Sequence, residues 1–366
     1  MKKILSLSLV CLLLTALLAG CKGNDSKKSS ESTASTGSSA ASESNEELSE
    51  PNGAKETTDD KKTFKIGVVQ IVEHEALDKA ANGFIDSLTQ YGEQNGITFE
   101  FDRQNAQNDQ SNANTIASKF VNDKVDLIFA IATPAAQSAA NAAKEANIPV
   151  LFTAVTDPVD AKLVADIQAP GGNVTGTSDL TPVEGQLELA KQLIPDLESI
   201  GVLYASNESN SKVQLEMAQA AAEKLGLKAV PASVSNANEV QSVVQNVLAG
   251  KVQAIYAPTD NTIANAMPTV SAIAGEYNLP IIAGEEGMVS KGGLATIGLN
   301  YYDLGVKTAE LALDVLVDGK NPGEVPVGYI ESYTYCYNSK IAEDLGFTDK
   351  LSADFLEKAT DVAPKQ

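Results

Sequence analysis

The sequence predicts an α/β protein made of two doubly wound parallel-sheet lobes joined by three crossings, and three observations lead there. Residues 126–158 read as strand, helix, strand: an apolar run at 127–132, an Ala-rich segment stopped by Asn147-Ile148-Pro149, and a second apolar run at 150–152. Parallel neighbours need such a crossover segment between them. Each apolar run ends in a polar turn, Thr133-Pro134 and Thr156-Asp157-Pro158, at the edge where open α/β sheets bind ligands. A partial echo recurs at 253–285, where Pro258-Thr259-Asp260-Asn261 ends one run and Gly284-Glu285 ends the next. Two similar segments imply two similar lobes.

The chain of 366 residues is long enough for two domains. Its formal net charge of -21 argues against a nucleic-acid partner, which would need clustered Lys and Arg. That acidity suits a soluble secreted body. Lys2 and Lys3 precede an apolar run at 4–18 that ends in Leu18-Ala19-Gly20-Cys21. This is the pattern of a signal peptide over residues 1–20 rather than of a membrane span. Leu-Ala-Gly-Cys resembles the bacterial lipobox, which implies cleavage before Cys21, acylation of that cysteine (palmitate among the acyl groups) and a lipid anchor in the membrane. Residues 22–62 carry almost no apolar side chains, so a disordered tether is expected over 21–63, with a span of roughly 35 Å. Cleavage removes Cys11 and acylation uses Cys21. Cys336 is then alone, which rules out an internal disulfide or a cysteine zinc site, and a buried strand cysteine is its expected role.

The folded body begins at Phe64. A strand at 64–70 leads into a helix over 76–91, with Leu77, Ala80, Ala81, Phe84, Ile85 and Leu88 at helical spacing and Gly92 and Gly96 as its stop. A strand at 97–101, a polar turn at 105–112 and a helix at 114–121 precede the 126–158 unit. The Gly- and Thr-rich stretch 171–179 reads as the first crossing between lobes. The second lobe repeats the rhythm: helix 183–193, strand 199–204, helix 213–225, strand 227–231, helix 237–249, strand 254–256, helix 263–277 and strand 280–283. Residues 294–299 are expected to cross back, helix 304–316 to pack on the first lobe, and 326–337 to cross a third time. The lobes are then 64–176 plus 299–326 and 177–298 plus 327–362.

The polar turns converge on one cleft. Candidate ligand-binding residues are Gln70, Glu73, His74, Thr133, Pro134, Ser138, Thr153, Thr156, Asp157, Asn207, Ser211, Thr259, Asp260, Asn261 and Gly284, with Ser178 and Asp179 at the hinge. Hydroxyls, amides and helix N-termini such as that of Thr133 and Ser138 suit a carboxylate. Asp157 and Asp260 suit an ammonium group. Together they would make an amino-acid site, although an aspartate before a helix also serves as a plain N-cap. His74, the one histidine, follows the first strand and is a candidate ligand contact. Enzyme chemistry finds no purchase: there is no G-x-G-x-x-G after the first strand, no P-loop and no G-x-S-x-G, and one histidine makes no multi-His metal site. No cofactor or metal is expected.

These residues also carry a family resemblance. His74-Glu75-Ala76-Leu77-Asp78, Ala130-Ile131-Ala132-Thr133-Pro134-Ala135, Phe152-Thr153-Ala154-Val155-Thr156-Asp157-Pro158, Gly172-Asn173-Val174-Thr175-Gly176, Pro258-Thr259-Asp260-Asn261 and Leu294-Ala295-Thr296-Ile297-Gly298 resemble, in that order, the ABC-transporter substrate-binding lipoproteins related to the tryptophan- and tyrosine-binding proteins. Glu285-Glu286 after Gly284 is a departure. The resemblance implies a periplasmic-binding-protein type I fold, a small amino-acid-like ligand of aromatic type, and an ABC permease as partner. It also implies a monomer held extracytoplasmically on the membrane, and no catalysis. By analogy the ligand carboxylate meets Thr133, Ser138 and the 153–157 turn, Asp260 holds the ammonium, and Tyr204, Tyr256 and Phe152 wall the side chain. The rival readings are another solute, such as a branched-chain amino acid or a nucleoside, a ligand sensor coupled to a membrane receptor, and a secreted enzyme on the same fold.

Overall fold

The computed structural model describes residues 62–364. The expected signal peptide, the attachment point Cys21 and the tether up to residue 61 lie outside the described residues.

The first lobe is a five-stranded parallel sheet of β1 (Thr63–Gln70), β2 (Thr98–Asn105), β3 (Leu127–Ile131), β4 (Val150–Val155) and β5 (Val174–Ser178), in the order β2-β1-β3-β4-β5. β3 is apolar throughout, β4 is apolar but for Thr153, and both are buried at every position, as strands covered on both faces must be. The connecting helices are α1 (Glu75–Asn95), α2 (Gln110–Asn122) and α3 (Thr133–Ala143). α1 buries the periodic face expected of it, and Phe84 stacks on Phe129 with ring centroids 3.8 Å apart. Its end differs from the expectation. The helix runs through Gly92 to Asn95, and Gly96, at φ 68°, is the left-handed stop. Gly92 instead admits the returning chain, since a Cβ there would lie 2.6 Å from the Ile97 carbonyl oxygen.

The second lobe contains α4 (Val183–Leu193), β6 (Ser199–Ala205), α5 (Ser209–Lys224), β7 (Lys228–Val234), α6 (Val240–Val243), β8 (Ala254–Ala257), α7 (Asn261–Glu276), β9 (Ile281–Ala283), α8 (Glu286–Ser290) and β10 (Ala295–Gly298). The helix expected over 237–249 is broken into a 3-10 turn, α6 and a π-helical turn at Val244–Leu248. The stretch expected to cross back at 294–299 is mostly β10, a strand of the second sheet. The stretch expected to cross first, at 171–179, contributes β5 to the first sheet. In both places the strand finds ladder partners before the chain leaves its lobe.

α9 (Tyr301–Leu316) then returns to the first lobe and packs on α1 at very close range. Cβ atoms on Gly83 and Gly305 would lie 2.1 Å from the Tyr302 oxygen and 2.0 Å from the Ala80 oxygen, so glycine is required at both. The chain comes back through the Thr177–Gly328 bridge to β11 (Thr334–Tyr337), then α10 (Ser339–Asp344), α11 (Ala353–Lys358) and β12 (Ala359–Asp361). These complete a seven-stranded sheet, β12-β11-β10-β9-β8-β6-β7, parallel except where β10 meets β11. Cys336 is buried in β11, and burial pushes its thiol up to about 12. One hydrophobic core gathers residues of the first sheet with α9, and two others gather the second lobe.

Candidate functional site

The carboxyl ends of both sheets face each other across a small, partly enclosed cavity. The lobes are closed on it. His74 Nε2 lies 3.5 Å from Asn261 Oδ1, Asn108 Nδ2 donates to Thr262 Oγ1 at 3.0 Å, and Gln214 Nε2 reaches Thr156 Oγ1 at 3.5 Å.

Of the candidates read from sequence, His74, Thr156, Asp179, Thr259, Asp260 and Asn261 line this cavity. His74 starts α1 and is buried. Burial lowers its imidazole to about 4, so the ring is neutral. Asp179 leaves β5 at the hinge. One oxygen accepts from Thr156 Oγ1 at 3.3 Å and the other from Tyr301 OH at 2.8 Å, a bond that ties the first crossing to the second. Burial pushes its carboxyl up to about 6. Asp260 caps α7 through the Ile263 amide, and its other oxygen accepts from the Ala205 amide and Ser211 Oγ. Burial and the neighbouring Glu208 carboxylate push its carboxyl up.

The other candidates lie outside the lining, and most are engaged elsewhere. Gln70 braces Val72, Asp78 and Arg103, beside an exposed Glu73, in a separate surface cleft. Ser138 accepts from Gln110, which also bonds the Pro134 carbonyl. Thr133 opens α3, its hydroxyl buried without a partner among the described residues. Thr153 belongs to a hydroxyl chain with Thr177 and Thr308 inside the first lobe. Asp157 closes its own turn on the Val159 and Asp160 amides, and Ser178 bonds the Thr156 carbonyl. Asn207 is exposed, Ser211 supports Asp260, and Gly284 presses on Pro258 and Thr259 where no Cβ fits. Tyr256 and Phe152 are core residues. Tyr256 gives its hydroxyl to Gln186 at 2.7 Å. Half-buried Tyr204 is also outside the lining.

Leu77, Ala264, Glu285 and Tyr301 also line the cavity, with no expectation from sequence, and Ala154 and Asn210 line it from within the 153–157 and 207–211 turns expected there. Ala154 sits in a register shift of β4 with φ 55°, a left-handed conformation that turns the strand at the cavity. The signal for Glu285 was present as the departure after Gly284. Its carboxylate caps α8 on the Gly287 and Met288 amides, and burial pushes it up to about 7. Tyr301 carried a weaker signal, an aromatic just after Asn300, which caps α9. Its position depends on the second crossing.

The chemistry of the lining is one-sided. Asp179, Asp260 and Glu285 face it, and among the described residues none that lines it carries a positive charge. Glu208 stands at the N-cap of α5 but gives its carboxylate to α7, accepting from Asn261 Nδ2 at 2.6 Å and Thr262 Oγ1 at 2.7 Å. The first turn of α5 therefore has no side-chain cap, and Ser209 Oγ and Asn210 Oδ1 within it have no partner among the described residues. Buried carboxylates beside an uncapped helix N-terminus can neutralise a positive and a negative group together.

Two α/β lobes of mostly parallel strands, three crossings and a closed polar cavity at the strand ends define a binding protein of the periplasmic type I class. Residues 65–362 match the family of ABC transporter substrate binding proteins, and the chain belongs to that family. It is 44% identical over 353 residues to the tyrosine-binding protein of Clostridioides difficile (strain R20291), covering 96% of this chain and 94% of that protein. Among solved structures it resembles an ABC domain in complex with L-Trp from Streptococcus pneumonia, at 40% identity and TM-score 0.75, covering 81% of this chain and 99% of that one. It also resembles the ligand-free, open structure of a Clostridium difficile substrate binding protein with adhesive properties, at 44% identity and TM-score 0.63, covering 82% of this chain and all (100%) of that one. The better fit is to the ligand-bound relative despite its lower identity, in keeping with lobes that are closed here.

Proposed function

We propose that this protein captures an aromatic amino acid outside the cytoplasm and delivers it to an ABC permease. The observation that carries the reading is the pairing, inside one closed cavity, of three buried carboxylates with an uncapped helix N-terminus. Asp179 is the leading ammonium partner, because its carboxylate accepts from two side-chain hydroxyls, Thr156 and Tyr301, and, among the described residues, from no other residue's backbone amide, whereas Asp260 is held by the Ala205 and Ile263 amides and Ser211. The ligand carboxylate meets the first turn of α5. Leu77, Ala154, Ala264 and Tyr301 wall the side chain. The names of the tyrosine-binding relative and the L-Trp complex support an aromatic side chain.

Closure is a population shift: the ligand favours the closed state because only that state brings His74 and Asn261, or Thr156 and Gln214, around it. The lobes of the working unit are 64–178, which keeps β5 whole, with 299–326, and 179–298 with 327–362. The body is a monomer, is not an enzyme, and hangs from the membrane by a lipid on Cys21. A thermal-shift screen of the purified protein over the amino acids tests the ligand. Tyrosine or tryptophan in large excess over its Kd raises the Tm, since saturation at about 100 Kd stabilises by about 2.7 kcal/mol. If a nucleoside or a branched-chain amino acid raises it and no aromatic amino acid does, the reading is wrong.

A further inference from the structure

We propose that His74 Nδ1 accepts a hydrogen bond from a donor on the ligand's aromatic side chain, a phenol O–H or an indole N–H, so that the site selects against phenylalanine. The inference rests on the aromatic-amino-acid reading and sharpens it.

Glu208 acts on His74 through Asn261. Its Oε2 accepts from Asn261 Nδ2 at 2.6 Å, and a carboxylate can only accept. That bond fixes the Asn261 amide with Nδ2 toward Glu208 and Oδ1 toward His74. Oδ1 is an acceptor, so the imidazole nitrogen facing it at 3.5 Å, the outer edge of hydrogen-bond range, carries the proton. Burial keeps the ring neutral, so it holds one proton. That proton is on Nε2, and Nδ1 is left as a bare acceptor. His74 is 7% exposed and lines the cavity, and Nδ1 has no partner among the described residues. A buried acceptor without a donor is costly, and a ligand that supplies the donor recovers that cost.

An ammonium is the poorer candidate for this position. His74 is the N-cap of α1, a 21-residue helix with no side-chain cap, and the positive end of a helix dipole disfavours a cation. A ligand carboxylate is excluded by the lone pair itself. A neutral O–H or N–H satisfies both constraints. Phenylalanine fills the same space but leaves Nδ1 unpaired, a loss of about 1–3 kcal/mol or roughly 5- to 150-fold in affinity. Asn261 and Glu208 are positioning residues that hold the tautomer.

His74 is the only histidine in the chain, so its imidazole nitrogens can be followed in the full-length protein without assignment. Long-range proton–nitrogen correlation spectra are expected to show the Nε2–H tautomer. On saturation with tyrosine or tryptophan the Nδ1 resonance moves toward the hydrogen-bonded position, and with phenylalanine it stays. In calorimetry the wild type is expected to bind tyrosine or tryptophan at least about fivefold more tightly than phenylalanine. His74→Phe brings the ratio to within about threefold, mainly by losing affinity for the donor-bearing ligand. An Nδ1–H tautomer, or an Nδ1 signal indifferent to the ligand, overturns the proposal without any variant having to fold. Equal binding of phenylalanine by the wild type overturns it while leaving the aromatic reading intact. Failure of all three amino acids to bind removes that reading and this inference with it.

Discussion

Lys79 on α1 and Glu286 on α8 meet at 3.1 Å between the two lobes. The same lysine holds Glu75 at 3.0 Å, and Glu75 accepts from Ser290 Oγ at 2.7 Å. α1 thus grips α8 outside the cavity, so the closed state has support that touches no ligand. Both charged partners are about a third exposed (36% and 30%), which limits the pair to about 1 kcal/mol or less. Glu286→Gln is expected to weaken ligand binding by about fivefold or less, with the difference from wild type shrinking at high salt. Calorimetric titrations at low and high ionic strength check this. A salt-independent loss of the same size would point to a packing role instead.

Asp179→Asn separates binding from folding. Removing a charged partner of the ammonium is expected to cost about 1.5–3 kcal/mol of affinity, roughly 10- to 150-fold. The ligand-free protein should not lose stability, because burial opposes the Asp179 charge and holds its carboxyl up at about 6. The wild type has the stability of the neutral acid below its unfolded value and loses it as pH rises through about 6. The Tm of Asp179→Asn relative to wild type should therefore rise between about pH 4 and pH 6–7. A constant difference across that window would show that Asp179 is ionised throughout.

Ligand affinity should fall as pH drops from about 7 to about 5. An ammonium needs its carboxylates ionised, and burial holds Asp179 up at about 6 and Glu285 up at about 7, with Asp260 also raised by burial and Glu208. His74, held down at about 4, stays neutral through that range and is not the source of the trend. Titrations of the saturating amino acid across this range read the effect. Affinity that is flat or rises toward acid rules these carboxylates out as the ammonium site.

Gly305→Ala tests the return of α9 to the first lobe. A methyl there would lie 2.0 Å from the Ala80 carbonyl oxygen, against backbone that cannot swing away. Forcing α1 and α9 apart should cost about 1–3 kcal/mol or more and lower the Tm by several degrees. An unchanged melting curve would mean that the helices do not pack so closely.

Cys21→Ala tests the anchor. The wild-type protein made in its own cell type should partition with detergent, and the variant should appear in the aqueous phase. Identical partitioning of the two removes the lipid from the proposal.

Much of the fold was legible because burial writes periodicity into sequence. Residues 127–132 and 150–152 are uniformly apolar since their strands are covered on both faces, and helix 183–193 was bounded correctly by its own pattern. The turns were legible too: His74, Thr156, Thr259, Asp260 and Asn261 stand at strand ends, and strand ends of an α/β sheet face the ligand. What those turns do was not legible. Asp157 and Asp260 look alike in sequence, each polar and just after a strand, yet Asp157 closes its own turn while Asp260 lines the cavity.

The two-lobed α/β class, the repeated strand–helix rhythm and the family depend on local patterns of apolar and turn residues, and those stand in the chain's order of residues. Which side chains share the cavity depends on long-range packing. Asp179 and Tyr301, 2.8 Å apart, are 122 residues apart in the chain, and His74 and Asn261 are 187 apart. They meet because the crossings fold two separate sheets edge to edge, and no local pattern encodes that closure.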